Sequence, residues 1–431
     1  MDQFNIRGGY PLSGEVTPSG NKNAALPLLA ACLLTNEPVT LHNVPEIQDV
    51  QAMRNLIESL GVQIETIDPH TWKVHAAEVR PADLNPNLCR RIRASILLAG
   101  PMTARSGELT LPPPGGDVIG RRRVDTHILA LEAMGAWAEY NRDAQVFNFR
   151  ASQLQGADIL LDEASVTATE NTIMAAVTAN GETILRNSAS EPHVQELCHF
   201  LNRLGAHIEE IGSNTLHIHG VPKLHGGEFT IGPDYLEVVS FVGAAVVTHG
   251  SIRIRDAGPQ YLDMIAQVFG RLGVSWEIEN DTDLIVPEHQ PLTIIPDLGN
   301  AIPEIKTNVW PAFPTDLISI AITLATQATG SILFHDWMYP SRMYFTDKLV
   351  SMGAHIVLCD PHRCIIQGPT QLYGENVESP DIRAGMALVL AALTAKGQSV
   401  IRNVGQIDRG YEKIDEKLHR LGAQIERVKE S

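Results

Sequence analysis

No part of this 431-residue chain sustains an apolar run of the roughly 18 residues that a membrane span needs. The opening MDQFNIRGGYPL lacks the basic and apolar blocks of a secretory signal, so a cytoplasmic protein with no membrane partner is expected. Cysteine is scarce. Cys32, Cys89, Cys198, Cys359 and Cys364 are scattered and odd in number, which argues for reduced thiols rather than a disulfide framework. Basic residues are outnumbered, 33 Lys and Arg against 50 Asp and Glu, for a formal charge of −17. That deficit excludes a nucleic-acid-coating surface, which needs a basic stripe. It leaves room for an anionic small ligand, because a local arginine cluster can dominate the field in a cleft. There is no P-loop and no glycine-rich dinucleotide fingerprint. No Ser/His/Asp or Cys/His arrangement stands out. In LHIHGVPKLHGG, His217 and His219 share one face of a strand, but no third ligand is evident, so the pair reads as surface decoration.

What is present points to a soluble globular protein. Apolar residues make up 44% of the chain, and its length suits two or three domains. A short signature recurs as SLGVQIE, AMGAWAE, RLGAHIE, RLGVSWE, SMGAHIV and RLGAQIE. Its glycines are Gly61, Gly135, Gly205, Gly273, Gly353 and Gly422, spaced by 74, 70, 68, 80 and 69 residues (differences of successive numbers). An amphipathic helix pattern precedes each glycine, as in VQAMRNLIESL and EKIDEKLHRL, and an alternating strand pattern follows it. Upstream lies another short strand, such as GELTLPP or GSIRIRDA. Before that comes a helix of small apolar residues on nearly all sides, such as NAALPLLAACLLT, ENTIMAAVTA or IRAGMALVLAALTA. Such a helix has no face for water and must be buried. Six buried helices pack most economically as two clusters of three, giving two α/β domains with helices inside and sheets outside.

Charge gathers at particular points in this pattern. LPPPGGDVIGRRRVD is too rich in proline and glycine for a helix interior or central strand. It sets Asp117 ahead of Arg121, Arg122 and Arg123, and it reads either as a solvated loop or as a lid. Asn21 suits an N-cap, with Lys22 as a surface lysine. Arg93 opens an apolar helix and must reach solvent or meet an anion. Arg383 precedes another such helix, and Arg409 lies in IDRGYE. A structural salt bridge is the plain alternative for each arginine, most of all for Arg342. In AFPTDLISI, either Thr315 or Asp316 suits an N-cap.

The sixfold unit, SGNKNAALP, RIRASILLAGP, AFPTD and IDRGYEKIDEKL together resemble the UDP-N-acetylglucosamine 1-carboxyvinyltransferase family, whose wider relatives include EPSP synthase. The resemblance covers essentially the whole chain. It implies the two-domain inside-out α/β barrel, with three units per domain. One domain takes residues 1–21 and 233–431. The inserted domain takes 22–232, with crossings near Asn21 and Gly232 and a lid loop at 112–122.

The implied reaction moves enolpyruvyl from phosphoenolpyruvate to the 3′-hydroxyl of UDP-N-acetylglucosamine and releases phosphate, the first committed step toward peptidoglycan. No metal or organic cofactor is implied. Enolpyruvyl transfer to another or modified acceptor, and a non-catalytic nucleotide-sugar sensor, are the alternatives. The resemblance assigns Lys22, Asn23, Arg122, Arg383 and Arg409 to phosphoenolpyruvate, a doubly anionic ligand suited to arginine forks. It assigns Arg93, Arg122, Val124, Asp125, Thr126, Ser165, Val166, Asp316 and Met338 to the nucleotide sugar. Asp316 is implied to orient the 3′-hydroxyl and take its proton. Asp117 stands where many members carry a reactive lid cysteine, the proton donor to the methylene carbon of phosphoenolpyruvate. Lys22 and Arg409 complete the implied catalytic set. His193, Tyr235 and Pro340 depart from the family pattern.

Overall fold

The computed structural model describes residues 2–116 and 123–429. The described residues form two units, 2–19 with 233–429 and 20–116 with 123–232. The chain therefore crosses between Ser19 and Gly20 and again between Gly232 and Pro233. Gly20 lies hard against the backbone of the inserted unit. A Cβ on it would lie 1.9 Å from the Asn43 carbonyl oxygen, so no side chain fits. Ser19 is tied to the other unit. Its N–H donates to Glu237 at 2.8 Å, and its hydroxyl donates to Glu412 at 2.9 Å while accepting from Lys417 Nζ at 2.7 Å. Lys417 and Glu237 form a buried ion pair at 2.6 Å.

The six signature glycines all adopt φ between +81° and +105°, a left-handed conformation that side chains resist. Each ends an amphipathic helix and turns the chain into a strand, for instance from Gln48–Ser59 into Gln63–Asp68. In the discontinuous unit there are three four-stranded sheets. One of them places the first strand, Asp2–Arg7, between Gln398–Arg402 and Gln424–Lys429, antiparallel to both. The inserted unit has two four-stranded sheets and, among the described residues, one of three strands, Glu108–Leu111, Val146–Arg150 and Trp137–Asn141. In inner strands such as Asp2–Arg7 and Thr215–His219 buried residues alternate with more exposed ones, so each of these sheets turns one face to its own core.

The cores are the expected apolar helices. Tyr235–Val247, Ile318–Ala325 and Ile382–Thr394 are almost wholly buried in one unit. The last two run parallel. Ser319 donates its hydroxyl to the Arg383 carbonyl at 3.1 Å, and one turn later Thr323 reaches that of Ala387 at 3.5 Å. Gly243 marks their closest approach to the first helix, since a Cβ there would meet Leu390 at 2.7 Å and Ile320 at 3.0 Å.

In the inserted unit the core helices are Lys22–Ala31, Ala99–Ser106 and Val166–Ala176. The second is expected as one helix across IRASILLAGPMTA, but it opens with a 3-10 segment, Arg93–Leu98. The Asn171 amide explains the change. Its Nδ2 donates to the Ile96 carbonyl at 2.8 Å, and its Oδ1 accepts from Gly100 N–H at 2.6 Å. A side chain thus stands in for the i to i+4 bond that would have joined those two groups.

Candidate active site

Most of the residues singled out from the sequence lie at or beside the leading ends of the core helices, where unpaired N–H groups favour anions. In the inserted unit Asn21 caps the first core helix, its Oδ1 accepting from the N–H groups of Asn23 at 2.9 Å and Ala24 at 3.4 Å. Lys22 is not the surface lysine of the plain reading. It is buried, and its ammonium lies 2.7 Å from the equally buried Asp49 carboxylate. Arg93 donates to the Arg123 carbonyl at 2.9 Å. Arg123 in turn grips Asp125 at 3.1 Å and Asp162 at 2.7 Å. Val124 is half-buried and Asp125 exposed, but Thr126 is buried, with its hydroxyl on Asp162 at 2.7 Å. Ser165 caps the third core helix through Ala168 N–H at 3.4 Å, and Val166 is that helix's first residue.

Asp117 and Arg122 lie outside the described residues. Of the loop 112–122, residues 112–116 are described, and they explain the glycine pair. A Cβ on Gly115 would come within 1.9 Å of the Arg90 carbonyl oxygen, and Gly116 has φ of +110°.

In the discontinuous unit Asp234 and Asp381 cap two of the core helices. The N-cap reading of Thr315 and Asp316 is overturned. No side chain caps that turn, and the Thr315 hydroxyl is spent on the buried Asp336. The Asp316 carboxylate meets Arg342 Nη2 at 2.7 Å and Arg383 Nε at 3.5 Å. Both arginines are buried. Burial opposes the charge on Arg383, but Tyr411, Asp316 and Asp234 around it outweigh that and raise its pKa. Its guanidinium lies over the Tyr411 ring at 5.5 Å, and Nη1 is buried with no hydrogen-bond partner among the described residues. Such a donor is costly to leave unmade and suits an anionic ligand. Arg409 ends a 3-10 segment and donates to Gln406 at 2.9 Å. The Met338 N–H donates to the Asp336 carboxylate at 3.0 Å.

Residues 6–418 match the EPSP synthase (3-phosphoshikimate 1-carboxyvinyltransferase) family. The chain belongs to the EPSP synthase family. It is 56% identical to a UDP-N-acetylglucosamine 1-carboxyvinyltransferase of Bradyrhizobium diazoefficiens, covering 99% of this chain and 98% of the relative. A protein of the same name from Treponema denticola is 52% identical, with 99% of each covered. Among solved structures, the enolpyruvyl transferase NikO from Streptomyces tendae superposes with a TM-score of 0.88 at 24% identity, covering 100% of this chain and 99% of that one. EPSP synthase from Acinetobacter baumannii gives 0.76 at 19% identity over the full length of both. These structures carry the two-domain inside-out architecture over to this chain.

Within this EPSP synthase fold, the sequence reading missed the counter-charges. Asp49 sits among core-facing positions of an amphipathic helix, and Asp381, two residues before Arg383, sets its charge against Arg342. In both cases an acid at a buried helix start was the signal. Tyr235, a departure from the pattern, is a core residue whose ring lies 5.9 Å from that of Trp310. His193 is buried as well, and Pro340 is half-buried.

His127 carries a pH effect. It is fully buried, accepting at Nδ1 from Asn171 at 2.9 Å, with Nε2 3.2 Å from the Thr167 hydroxyl. Burial, aided by Arg93, lowers its pKa from 6.5 to about 3. The native state therefore holds fewer protons than the unfolded chain between these values, and stability falls as pH drops through that window. Replacement by Gln should remove this slope. Between pH 7 and pH 4 the wild type should lose on the order of 3 kcal/mol more than His127→Gln, read by urea unfolding at both pH values. Parallel losses in the two proteins would refute the assignment.

Proposed function

We propose that this protein transfers the enolpyruvyl group of phosphoenolpyruvate to the 3′-hydroxyl of UDP-N-acetylglucosamine with release of phosphate, opening peptidoglycan synthesis. The observation that carries the reading is full-length identity above one half to relatives bearing that transferase name. The Arg383 Nη1 atom, buried with no hydrogen-bond partner among the described residues, supports it, because an anionic donor would accept from it.

Lys22, Asn23, Arg122, Arg383 and Arg409 hold the carboxylate and phosphate of phosphoenolpyruvate. Arg93, Arg122, Val124, Asp125, Thr126, Ser165, Val166 and Met338 hold the nucleotide sugar, Thr126 from beneath through Asp162. Asp316 orients the 3′-hydroxyl and accepts its proton as the oxygen adds to C2 of phosphoenolpyruvate. Asp117 gives a proton to C3 in the same addition. Loss of phosphate with a C3 proton then restores the vinyl group. An ionised Asp117 cannot donate, so it gains its proton when anionic substrate offsets the neighbouring arginines and water leaves.

A coupled phosphate-release assay tests the function. Phosphate should appear only with both phosphoenolpyruvate and UDP-N-acetylglucosamine. Release with shikimate 3-phosphate instead would overturn the acceptor. Tight nucleotide-sugar binding without any release would overturn the enzyme and leave a sensor.

A further inference from the structure

One histidine of the pair singled out in the sequence, His219, gains two ligand partners from the neighbouring strand. His207–Glu209 is the edge strand of a sheet in the inserted unit, and its neighbour is Thr215–His219. The two are antiparallel, with His207 opposite His219 and Glu209 opposite His217. Alternation then sets the faces. Ile208, Leu216 and Ile218 point into the core, so His207, Glu209, His217 and His219 share the outer face. The next strand adds Glu182, opposite His219 and 3.0 Å from His217 Nδ1.

The His207 and His219 rings are 4.6 Å apart at their centroids, and His207 Nε2 lies 2.9 Å from Glu209 Oε1. One ligand atom from each of His207, Glu209 and His219 lies within 4.8 Å of the other two. Donors around a tetrahedral zinc ion, at about 2.0–2.1 Å from the metal, stand roughly 3.4 Å from one another. His207 and Glu209 are exposed and His219 is half-buried, so small side-chain rotations close that gap.

We propose that His207, Glu209 and His219 form a divalent metal site for zinc or a similar imidazole-seeking ion, pinning the edge strand to its neighbour. Two imidazoles and one carboxylate with an open fourth position are a zinc donor set. Glu182 and Glu210 add negative charge nearby, and the Glu182–His217 pair borders the ligands. The site is separate from the transferase residues and asks nothing of the reaction.

Calorimetric titration of the metal-free protein with Zn²⁺ at pH 7.5 tests the assignment. One equivalent should bind with micromolar affinity and raise the melting temperature. His207→Ala and His219→Ala should each weaken that equivalent at least about tenfold. Glu209→Gln should weaken it several-fold, and the exposed control His355→Ala should leave it unchanged. Millimolar or weaker binding by the wild type, or an isotherm unchanged in His207→Ala, would overturn the site. These outcomes do not depend on transferase activity.

Discussion

Asp316→Asn should lower kcat by about 10²–10⁴ while leaving the dissociation constant for UDP-N-acetylglucosamine within a few-fold of wild type. Asparagine keeps an acceptor for the sugar hydroxyl but takes no proton. The choice of asparagine matters, because Asp316 is also the counter-ion of two buried arginines, at 2.7 Å from Arg342 and 3.5 Å from Arg383. Breaking a fully buried pair costs about 3–5 kcal/mol. Asp316→Ala should cost less, on the order of 2 kcal/mol, because Asp381 and Asp336 still face Arg342 and the Asp316 side chain is 31% exposed. A purely structural Asp316 would instead give a folded asparagine variant with near-normal turnover. Retention of more than a tenth of wild-type kcat, in protein whose melting temperature is preserved, would sink the catalytic role.

Incubation with fosfomycin should leave this enzyme active, and Asp117→Cys should make it sensitive, with one label bound per chain. The argument is nucleophilicity. Epoxide opening needs a thiolate, and Asp117, proposed for the lid position, is a weak nucleophile in water. A cysteine placed there, ahead of three arginines, would have its thiolate favoured. The existing thiols are poor substitutes. Burial pushes Cys89 up to about 11 and Cys364 up to about 12, and it raises Cys32 and Cys198 as well. Cys359 is exposed, so mass spectrometry should locate any label. Stoichiometric inactivation of the wild type at ordinary doses would show that Asp117 does not occupy the lid position.

The repeats were legible because six copies of one physical problem have one solution. Each unit needs a buried helix, a glycine able to take positive φ, and a strand with alternating faces. Those demands sit within about fifty residues, as from Lys22 through Gly61 to Asp68, close enough in sequence to read. Charge placement was less legible. Lys22 looked exposed because its partner Asp49 comes one strand and one helix later. The choice between Thr315 and Asp316 as a cap failed because Asp336 and Arg342, some twenty or more residues downstream, take those side chains away. The 3-10 opening at Arg93 depends on an asparagine 75 residues from the carbonyl it occupies. The two ligands that join His219, His207 and Glu209, were hidden for the same reason, since cross-strand register is not written in either strand alone.

The position of Asp2–Arg7 between two of the last strands has a consequence for biogenesis. All the partners of the inserted unit, residues 20–232, leave the ribosome together and early. The first strand must wait until residues 398–429 are synthesised before either neighbour exists. Nascent chains should therefore acquire one protease-resistant half during translation, while the opening segment stays accessible until release.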